Sequence, residues 1–243
     1  MTPIIRISSL SFAYPDGTSA LDDISLEIFE DECVGLVGPN GAGKTTLLLH
    51  LNGILSGNGK IVVDGLEVCR RSLSEIRQKV GIVFQDPEDQ LFSPTVFDDI
   101  AFGPGTMGLS KTEILSRVRR ALREADLEGL EAKPPHHLSF GQKKKAALAS
   151  ILSMHPKIIA LDEPTSNMDP RGRRKFLQLI KGLRATKILS THDMESVGEL
   201  CSRVIVLDSG KLVADGNVRT ILSDKVLMES HGLEVPFSVR GSR

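Results

Sequence analysis

Residues 38–46 read GPNGAGKTT and could bind the phosphates of a nucleotide. The segment matches the pattern G-x-x-x-x-G-K-[ST], follows a predicted strand and opens a predicted helix, which is the context that a phosphate-binding loop requires. Its glycines let backbone N–H groups turn toward phosphate oxygens, and the helix that begins near Lys44 adds the positive end of its dipole. Lys44 is predicted to reach the β- and γ-phosphates, and the Thr45 hydroxyl to ligate Mg2+. The predicted nucleotide contacts are Gly38, Pro39, Asn40, Gly41, Ala42, Gly43, Lys44, Thr45 and Thr46.

Two adjacent carboxylates could hold a metal ion and activate water. Asp162 and Glu163 follow the run KIIAL at 157–161. Ligands of open α/β sheets bind at the carboxyl ends of such strands. Asp162 is predicted to hold Mg2+, directly or through water, and Glu163 to polarise the attacking water as a general base. The alternative is an acidic cap of the following helix, worth about 1 kcal/mol.

His192 ends a third apolar run, TKILSTH at 186–192. A lone histidine is more often a hydrogen-bonded structural residue. This one is placed at the same predicted sheet edge as Asp162 and Glu163, which favours chemistry. His192 is therefore predicted to contact the γ-phosphate and to hold the water or Glu163 in line.

A second candidate anion site begins at Ser139, where residues 138–142 read LSFGQ. The simpler interpretation is a helix that Ser139 caps. The alternative is a phosphate site made of a serine hydroxyl, a glycine amide and a helix N-terminus. Such a site could converge on the same nucleotide in cis, or serve a nucleotide held by the other copy in a two-fold dimer.

A parallel sheet is needed to bring these residues together. Short apolar runs bounded by turn residues predict strands at 4–14, 32–38, 60–65, 79–85, 157–163, 186–192 and 202–210. The runs that start at Cys33, Ile158 and Ile188 are nearly continuous in apolar residues and precede helix-compatible sequence, as in strands buried on both faces. The early and late runs alternate more and contain tight turns at 15–17 and 208–211, which predicts antiparallel strands at the edge.

Helical periodicity replaces the strand pattern between Gln85 and His155. Helices are predicted at 111–127 and 139–154, with the break KPPHH between them. From Asn217 onward the sequence predicts one terminal helix and a loose tail. We therefore expect a single α/β domain over 1–243, with a nucleotide-binding core at 1–85 and 156–216, a helical subdomain at 86–155, and the C-terminal helix and tail at 217–243.

The overall composition excludes some classes of function. The chain has 30 basic and 31 acidic residues and a formal charge of −1, so its charge balance does not indicate a nucleic-acid or anionic-membrane partner. Cys33, Cys69 and Cys201 are widely spaced and form no CxxC pair, which is typical of reduced thiols in a cytosolic protein. No run approaches the roughly 18 apolar residues of a membrane span. The chain is expected neither to leave the cytosol nor to cross a membrane by itself.

Taken in order, the motifs resemble those of an ATP-binding cassette (ABC) ATPase, and the resemblance spans essentially the whole chain. The family order is reproduced by the phosphate-binding loop, Gln85 in the Q-loop position, LSFGQ as signature, ALDEP (160–164) as Walker B, SNMD (166–169) as D-loop and His192 as switch histidine. Tyr14 falls where the family stacks an aromatic ring on adenine. The resemblance implies a P-loop NTPase fold with a RecA-like parallel-sheet core, an antiparallel β edge subdomain and an inserted α-helical subdomain.

The resemblance also implies a mechanism. Two subunits, taken to be identical, would form a head-to-tail dimer with two ATP molecules between the phosphate-binding loop of one and the signature of the other. Lys44 and Mg2+ would neutralise charge, and Glu163 and His192 would align the water. Gln85 would ligate Mg2+ or its water through the side-chain carbonyl. The contacts expected from the partner are Ser139, Gly141 and Gln142, and hydrolysis would open the dimer.

Residues 83–104, VFQDPEDQLFSPTVFDDIAFGP, resemble the cobalt and nickel branch of the family, whose members also power energy-coupling-factor vitamin importers. The resemblance implies a groove near 86–104 that receives a helix of a transmembrane permease. It further implies a substrate-binding membrane component and a peripheral location on the cytoplasmic face of the cell membrane. The implied function is ATP hydrolysis that drives import, of cobalt or nickel ions in the first instance and of a vitamin as the alternative.

A rival interpretation is a soluble ABC ATPase that acts on nucleic acid or ribosomes. Its support is the basic clusters KKK (143–145) and RGRRK (171–175), which are predicted instead to be solvated helix faces, so no nucleic-acid partner is expected. A phosphotransferase kinase would leave the signature and the D-loop unexplained.

Three residues depart from the family pattern. Phe140 stands where the family usually has glycine, so a backbone with positive φ would have to accept a bulky side chain. Lys145 replaces the usual arginine and loses its planar bidentate reach. Met168 replaces the usual leucine, which nearly conserves volume. Because Ser139 and Gly141 are intact, we expect function to survive.

Overall fold

The computed structural model of the chain describes residues 2–240. The strands are β1 (Ile5–Ala13), β2 (Ser19–Ile28), β3 (Cys33–Val37), β4 (Asn58–Val63), β5 (Leu66–Glu67), β6 (Val80–Val83), β7 (Ile158–Asp162), β8 (Thr186–Ser190), β9 (Arg203–Asp208) and β10 (Lys211–Asn217). The helices are α1 (Lys44–Leu51), α2 (Leu73–Lys79), α3 (Val96–Thr106), α4 (Lys111–Glu124), α5 (Phe140–Leu152), α6 (Pro170–Gly182), α7 (Met194–Leu200), α8 (Val218–Ser223), α9 (Lys225–Ser230) and α10 (Phe237–Arg240).

A mainly parallel sheet forms the centre, with strand order β10-β9-β3-β8-β7-β6. β3 pairs in parallel with β8 and β9, and β7 pairs in parallel with β6 and β8. Every residue of β3 and β7 is buried, as the continuous apolar runs predict. The helices α1, α6 and α7 follow β3, β7 and β8, so these three strands deliver their carboxyl ends to one edge of the sheet.

The late apolar run lies inside this sheet and not at its edge. β9 pairs in parallel with β3 on one side and antiparallel with β10 on the other, so β10 alone is the antiparallel edge strand. The turn at 208–211 joins β9 to the antiparallel edge strand β10, as predicted, but the prediction that 202–210 itself lies at the edge is wrong for β9. Its four central residues are buried without interruption, which is typical of an interior strand.

An antiparallel sheet of order β2-β1-β4-β5 packs beside the core. The turn at 15–17 joins β1 to β2, as predicted, with Gly17 N–H bonded to Tyr14 O at 2.9 Å. The sequence predicts no strand over β2. The reason is visible at Asp23, which has φ of 53° and shifts the register with β1, so that the apolar alternation is interrupted.

Helices replace strands between β6 and β7. α4 and α5 lie within the predicted ranges, whereas the sequence does not predict α3. α3 contains Pro104 between two glycines, a composition that does not favour a helix. Its fold comes from packing, since Val96 and Ile100 are fully buried in one core with side chains of α4 and α5.

The C-terminal segment departs from its prediction. From Asn217 the structure contains the three short helices α8, α9 and α10 instead of one. Asp224 ends α8 and caps α9, and Gly232, with φ of 66°, follows the end of α9. The tail expected at the end of the chain falls partly on residues 241–243, which lie outside the described residues.

Among residues 2–240, no helix combines the length and the apolarity that crossing a lipid bilayer requires.

Candidate active site

The loop 38–43 connects β3 to α1 and has the shape that a phosphate requires. At two positions of the loop the neighbouring backbone leaves no room for a side chain, so both must be glycine. A Cβ at Gly38 would lie 2.1 Å from Leu207 O, and one at Gly43, with φ of 96°, would lie 2.4 Å from Ala20 O. Any other residue at these positions would push the loop away from the strands behind it.

Lys44 lies at the centre of this loop. Its Nζ donates to Gly38 O at 2.7 Å and to Pro39 O at 2.9 Å. Burial lowers the pKa of Lys44, while the negative charges of Glu163 and Asp162 oppose that shift. The side chain therefore presents a partly desolvated cation where the loop amides converge, which suits a phosphate.

Thr45 and Asp162 meet at the start of α1. Thr45 Oγ1 donates to Asp162 Oδ2 at 2.7 Å, and Ser190 Oγ donates to Oδ1 at 2.8 Å. Asp162 and Ser190 are register partners of β7 and β8. A hydroxyl and a carboxylate are hard oxygen donors, the set that Mg2+ prefers beside nucleotide phosphates, so the residues fit this ion.

Gln85 lies at the same edge of the sheet, two residues after β6 ends. Its side chain is exposed. No hydrogen bond among residues 2–240 joins it to Thr45 or Asp162. The backbone carbonyl of Gln85, unlike its side chain, is held in place, because it accepts a hydrogen bond from Lys144 Nζ at 2.7 Å.

Glu163 is held against the loop that follows β8. Its Oε2 accepts from Thr191 Oγ1 at 2.9 Å, and its Oε1 accepts from the His192 backbone N–H at 3.0 Å. His192 Nδ1 lies 2.8 Å from the same Oε1. The His192 side chain is nevertheless 68% exposed, so with Nδ1 as donor its Nε2 is available at the surface. The pair can hold a water molecule and move its proton.

Glu163 has the left-handed φ of 41°. A non-glycine residue rarely adopts this conformation, and such strain clusters at functional sites. Its backbone N–H donates to Ser190 O at 2.8 Å, which ties the strained residue to β8.

Tyr14 lies next to α1. Its hydroxyl is 2.9 Å from Thr46 Oγ1, and its ring meets Phe12 edge to face at 5.0 Å between centroids. Since the ring is partly exposed, one face can stack on a nucleobase.

The signature residues form the start of α5. Ser139 Oγ accepts from Gln142 N–H at 3.4 Å, and Ser139 N–H donates to Gln142 Oε1 at 2.9 Å, a complete capping box. Phe140 is the first residue of the helix and is not among the residues with positive φ, so the expected strain is absent. None of the hydrogen bonds or ion pairs within residues 2–240 joins Ser139, Gly141 or Gln142 to the loop 38–43.

Sequence reasoning missed Lys144. The cluster 143–145 is predicted to be a solvated helix face, and for Lys144 this is wrong, since the residue is 0% exposed. Burial lowers its pKa to about 8, against the opposing charges of Asp162, Asp86 and Glu163. A signal was present, because Lys144 precedes the buried residues Ala147 and Leu148 by three and four positions and so shares their helix face.

The other basic residues of these clusters are also partly used inside the molecule. Lys143 pairs with Glu88, and Lys145 with Asp126 at 2.8 Å, and both lysine side chains are largely covered. In the second cluster Arg171, Arg174 and Lys175 are exposed as predicted.

Arg173 is the second residue that the sequence did not mark. It donates to Asp193 Oδ2 at 2.9 and 2.7 Å through two nitrogens, and to Ser196 Oγ at 2.9 Å. Asp193 directly follows His192 and caps α7. α6 therefore fixes the segment that carries His192.

Comparisons with known proteins identify the family of the chain. The family profile described as ABC transporter matches residues 21–166. The energy-coupling factor transporter ATP-binding protein EcfA of Carboxydothermus hydrogenoformans is 46% identical over 244 residues, which cover 99% of this chain and 90% of that protein.

Two solved structures share the fold. CbiO1 from Clostridium perfringens, described as part of the ABC transporter complex cbiONQ, superposes with a TM-score of 0.83 at 38% identity, covering 99% of this chain and 98% of that one. A dimeric ATP-binding cassette in a post-hydrolysis state with ADP and Pi gives a TM-score of 0.79 at 27% identity, covering 88% and 98%. The chain therefore belongs to the ABC transporter family, and it is an ATPase that binds ATP and hydrolyses it for transport.

Proposed function

We propose that this chain is the ATP-hydrolysing subunit of a membrane importer for cobalt or nickel ions and that it works as an ATP-sandwich dimer. The observation that carries the catalytic part is the cluster of Thr45, Asp162, Glu163 and His192 beside the loop 38–43. One cation, one hydroxyl–carboxylate pair and one carboxylate–imidazole pair meet at a single sheet edge. These are the groups that phosphoryl transfer from ATP to water requires.

In this proposal ATP is held at both ends by the same chain. The loop 38–43 and Lys44 bind the β- and γ-phosphates, and Tyr14 stacks on adenine at the other side of α1. Thr45 and Asp162 would hold Mg2+, and Gln85 would contact the ion or its water. The bound ion supplies charge neutralisation at the phosphate oxygens.

Glu163 and His192 act on the attacking water. Glu163 accepts its proton, and the imidazole keeps the carboxylate turned toward the γ-phosphate. Thr191 contributes a second donor to Glu163, 2.9 Å away, which fixes the plane of the carboxylate.

The second copy of the chain completes the site. Ser139, Gly141 and Gln142 make no bond to the phosphate-binding loop of their own chain within residues 2–240. A helix N-terminus with a free amide is suited to an anion, so in a head-to-tail dimer the signature of one copy closes over ATP on the other. The dimeric cassette with ADP and Pi, to which this chain is similar, supports that assembly.

A groove beside α3 is proposed as the docking site of the permease. It encloses a cavity of about 420 Å³. Phe92 and Phe102 stand at its rim, 67% and 55% exposed, with ring centroids 5.1 Å apart. An aromatic pair left in water on the surface of a subunit is typical of a partner-binding site.

Asp99 indicates which kind of chemical group the partner contributes to the groove. It is buried in the groove, and its Oδ1 accepts from the N–H groups of Phe92 and Ser93 at 3.0 and 2.9 Å. Its Oδ2 is buried with no donor among the described residues. A buried carboxylate oxygen is costly without a partner, so a docking helix with a hydrogen-bond donor or a cation at this point fits. The other acids that the sequence places at the rim include Asp98, which is exposed.

The transported substrate rests on resemblance. Residues 83–104 resemble the cobalt and nickel branch, and the similar CbiO1 is described as part of the cbiONQ complex. The energy-coupling factor name of the similar EcfA favours the alternative, a vitamin importer of that type. Either transporter also needs a substrate-binding membrane component and places this subunit on the cytoplasmic face of the membrane.

The soluble ATPase acting on nucleic acid or ribosomes loses one of its two supports, the cluster 143–145. Lys143, Lys144 and Lys145 are paired or buried, so they offer no free basic surface.

The test is transport by the assembled complex. The tagged full chain is purified from membranes together with its permease and placed in proteoliposomes with ATP. ATP-dependent uptake of labelled cobalt or nickel that Glu163→Gln abolishes supports the proposal. Uptake of vitamins without metal uptake would establish the alternative. Absence of a membrane partner together with co-sedimentation with ribosomes would overturn both.

A further inference from the structure

Lys144 carries a charged group in the interior of the protein. Its Nζ donates to Gln85 O at 2.7 Å and to Glu163 O at 3.0 Å, and it lies 3.5 Å from Ser166 Oγ. Within residues 2–240 it makes no ion pair. All three acceptors are neutral, and they come from the loops after β6 and β7.

Burying the ammonium group of Lys144 costs free energy that packing alone does not offset. A buried ammonium group loses its hydration, and apolar side chains of similar volume often stabilise a core as well or better. The side chain of Lys144 is therefore explained best by the bonds that its ammonium group makes. Those bonds join α5 to two catalytic loops.

The first loop holds Glu163 in its strained conformation. The φ of Glu163 is 41°, and its carbonyl oxygen accepts from Lys144 Nζ, from Ser166 Oγ at 2.8 Å and from Ser166 N–H at 3.2 Å. The conformation directs the carboxylate toward Thr191 and His192. Loss of the Lys144 bond would remove one of the three hydrogen bonds to the carbonyl oxygen of a strained residue.

The second loop carries Gln85. It is tied to α5 through the Gln85 carbonyl, through Gln90 and through Glu88, which pairs with Lys143. Gln90 Nε2 donates to Ala147 O at 2.7 Å and to Ser150 Oγ at 3.0 Å, while its Oε1 accepts from Phe84 N–H at 3.2 Å. Gln90 thus holds the loop to the middle of the helix, and Lys144 holds it next to Glu163.

We propose that Lys144 is a positioning residue for ATP hydrolysis, which sets the Glu163 carboxylate and the Gln85 loop relative to the helix that begins with Ser139. The proposal rests on the function proposed above for Glu163 and Gln85. Because Lys144 and Ser139 belong to one helix, a shift of α5 when its N-terminus engages a nucleotide is transmitted to both catalytic loops. Lys144 acts through these residues and does not touch ATP itself.

The first test compares Lys144→Met with Lys145→Met in the purified full chain. Both variants remove one positive charge from adjacent positions of α5, and Lys145 only pairs with the exposed Asp126. Lys144→Met is expected to lower kcat by about 10- to 100-fold, the effect of an alignment error of about 1 Å. Its KM for ATP is expected to stay within about 2-fold, because no ground-state contact is removed. Lys145→Met is expected to leave kcat within about 2-fold, because the ion pair it removes is with an exposed carboxylate.

The second test places the same change in a Glu163→Gln background. Since Lys144 acts partly through Glu163, Lys144→Met is expected to lower the residual turnover of Glu163→Gln by a clearly smaller factor than it lowers kcat of the unmodified chain, because residues that act as a unit are not additive. A merely structural lysine would lower kcat by the same factor in both backgrounds. Lys144→Arg, which keeps the charge and the donors, is expected to retain more of kcat than Lys144→Met.

The proposal is overturned if folded Lys144→Met keeps kcat, if kcat and KM change together, or if the two changes multiply. If Lys144→Met does not fold, Lys144→Gln replaces it under the same criteria. A near-normal kcat of Glu163→Gln alone would instead reject the proposed role of Glu163, so the two failures are distinguishable.

Discussion

His192 Nδ1 lies 2.8 Å from Glu163 Oε1. The two residues follow neighbouring parallel strands, since β7 ends at Asp162 and β8 ends at Ser190. The backbone N–H of His192 donates to the same Oε1 at 3.0 Å. One carboxylate oxygen therefore aligns both the imidazole and the loop that carries it, so the orientation of Glu163 and that of His192 depend on each other.

Replacing Glu163 by glutamine tests the base. Glu163→Gln preserves volume but removes the proton acceptor, so kcat is expected to fall by about 10²- to 10⁴-fold while ATP still binds. Turnover, ATP affinity and the size of the complex in gel filtration are measured, and ATP-bound dimer is expected to accumulate. The control is Glu199→Gln, an equal change at an exposed position of α7. Near-normal hydrolysis by Glu163→Gln would reject the role.

The two-subunit site predicts complementation. Lys44→Ala and Ser139→Arg are each expected to inactivate a homodimer. In the mixed dimer one site carries both defects and the other carries neither, so ATPase activity is expected to return when differently tagged subunits are mixed.

Ser110→Arg is the matched control for Ser139→Arg. Ser110 also closes a capping box, at the start of α4. Its loss is expected to cost the same, about 1 kcal/mol of helix stability, without affecting ATPase activity. Confirmed heterodimers of Lys44→Ala and Ser139→Arg that stay inactive would argue against the shared site.

If the groove beside α3 is the docking site, substitutions there should weaken assembly with the permease and leave ATPase activity unchanged. Phe92→Ser and Phe102→Ser remove exposed rings and are expected to reduce co-purification with the permease by about 10-fold or more, the scale of an interface hot spot. Basal ATPase activity of the purified subunit should stay unchanged. Val226→Ser, on an exposed apolar residue of α9, is the control. Undiminished assembly of both phenylalanine variants would rule out this docking surface.

Charge reversal at the same groove distinguishes the roles of two acidic residues. Asp98→Lys changes an exposed residue and is expected to weaken assembly. Asp99→Lys would instead unfold the segment 92–93, because Asp99 Oδ1 holds its two N–H groups. Thermal unfolding of both variants distinguishes a docking effect from a folding effect.

Acid stability is predicted to depend on Asp64. Its carboxylate accepts from Lys79 Nζ at 2.5 Å and from Lys157 Nζ at 2.9 and 3.0 Å, which ties the antiparallel sheet to the core. Burial tends to raise the pKa of Asp64, but the hydrogen bonds and charges of the two lysines outweigh it, and the pKa is lowered from its ordinary 3.8.

Because the pKa of Asp64 is lower in the folded state, its contribution to stability is fully present well above pH 3.8 and is lost as pH falls through the folded-state pKa. Asp64→Asn, which tolerates the φ of 47° at this position, is expected to lower the free energy of unfolding by about 1 kcal/mol at pH 7. Urea unfolding between pH 7 and pH 3 measures the difference from the unmodified chain. A difference that does not shrink toward pH 3 would contradict the ion pairs.

The sequence alone located most of the candidate site. The loop 38–43 is local, so glycine geometry and the spacing of Lys44 and Thr45 are sufficient to recognise it. Asp162, Glu163 and His192 were placed because each follows a continuous apolar run, and parallel strands deliver their carboxyl ends to one edge. Here chain order and strand direction carry the information.

Tertiary packing determines the features that the sequence does not predict. The sequence predicts β9 at the edge, because neighbours in a sheet are chosen by contacts between distant segments. It does not predict β2, because Asp23 interrupts the apolar alternation of that strand. Lys144 is predicted to lie on a solvated face, yet its ammonium group binds carbonyls 59 and 19 residues away in the chain. Charge and helical period do not reveal which face of α5 the loops of Gln85 and Glu163 will cover. Only the tertiary structure brings those loops together, since burial of a charged group is determined by which acceptors surround it.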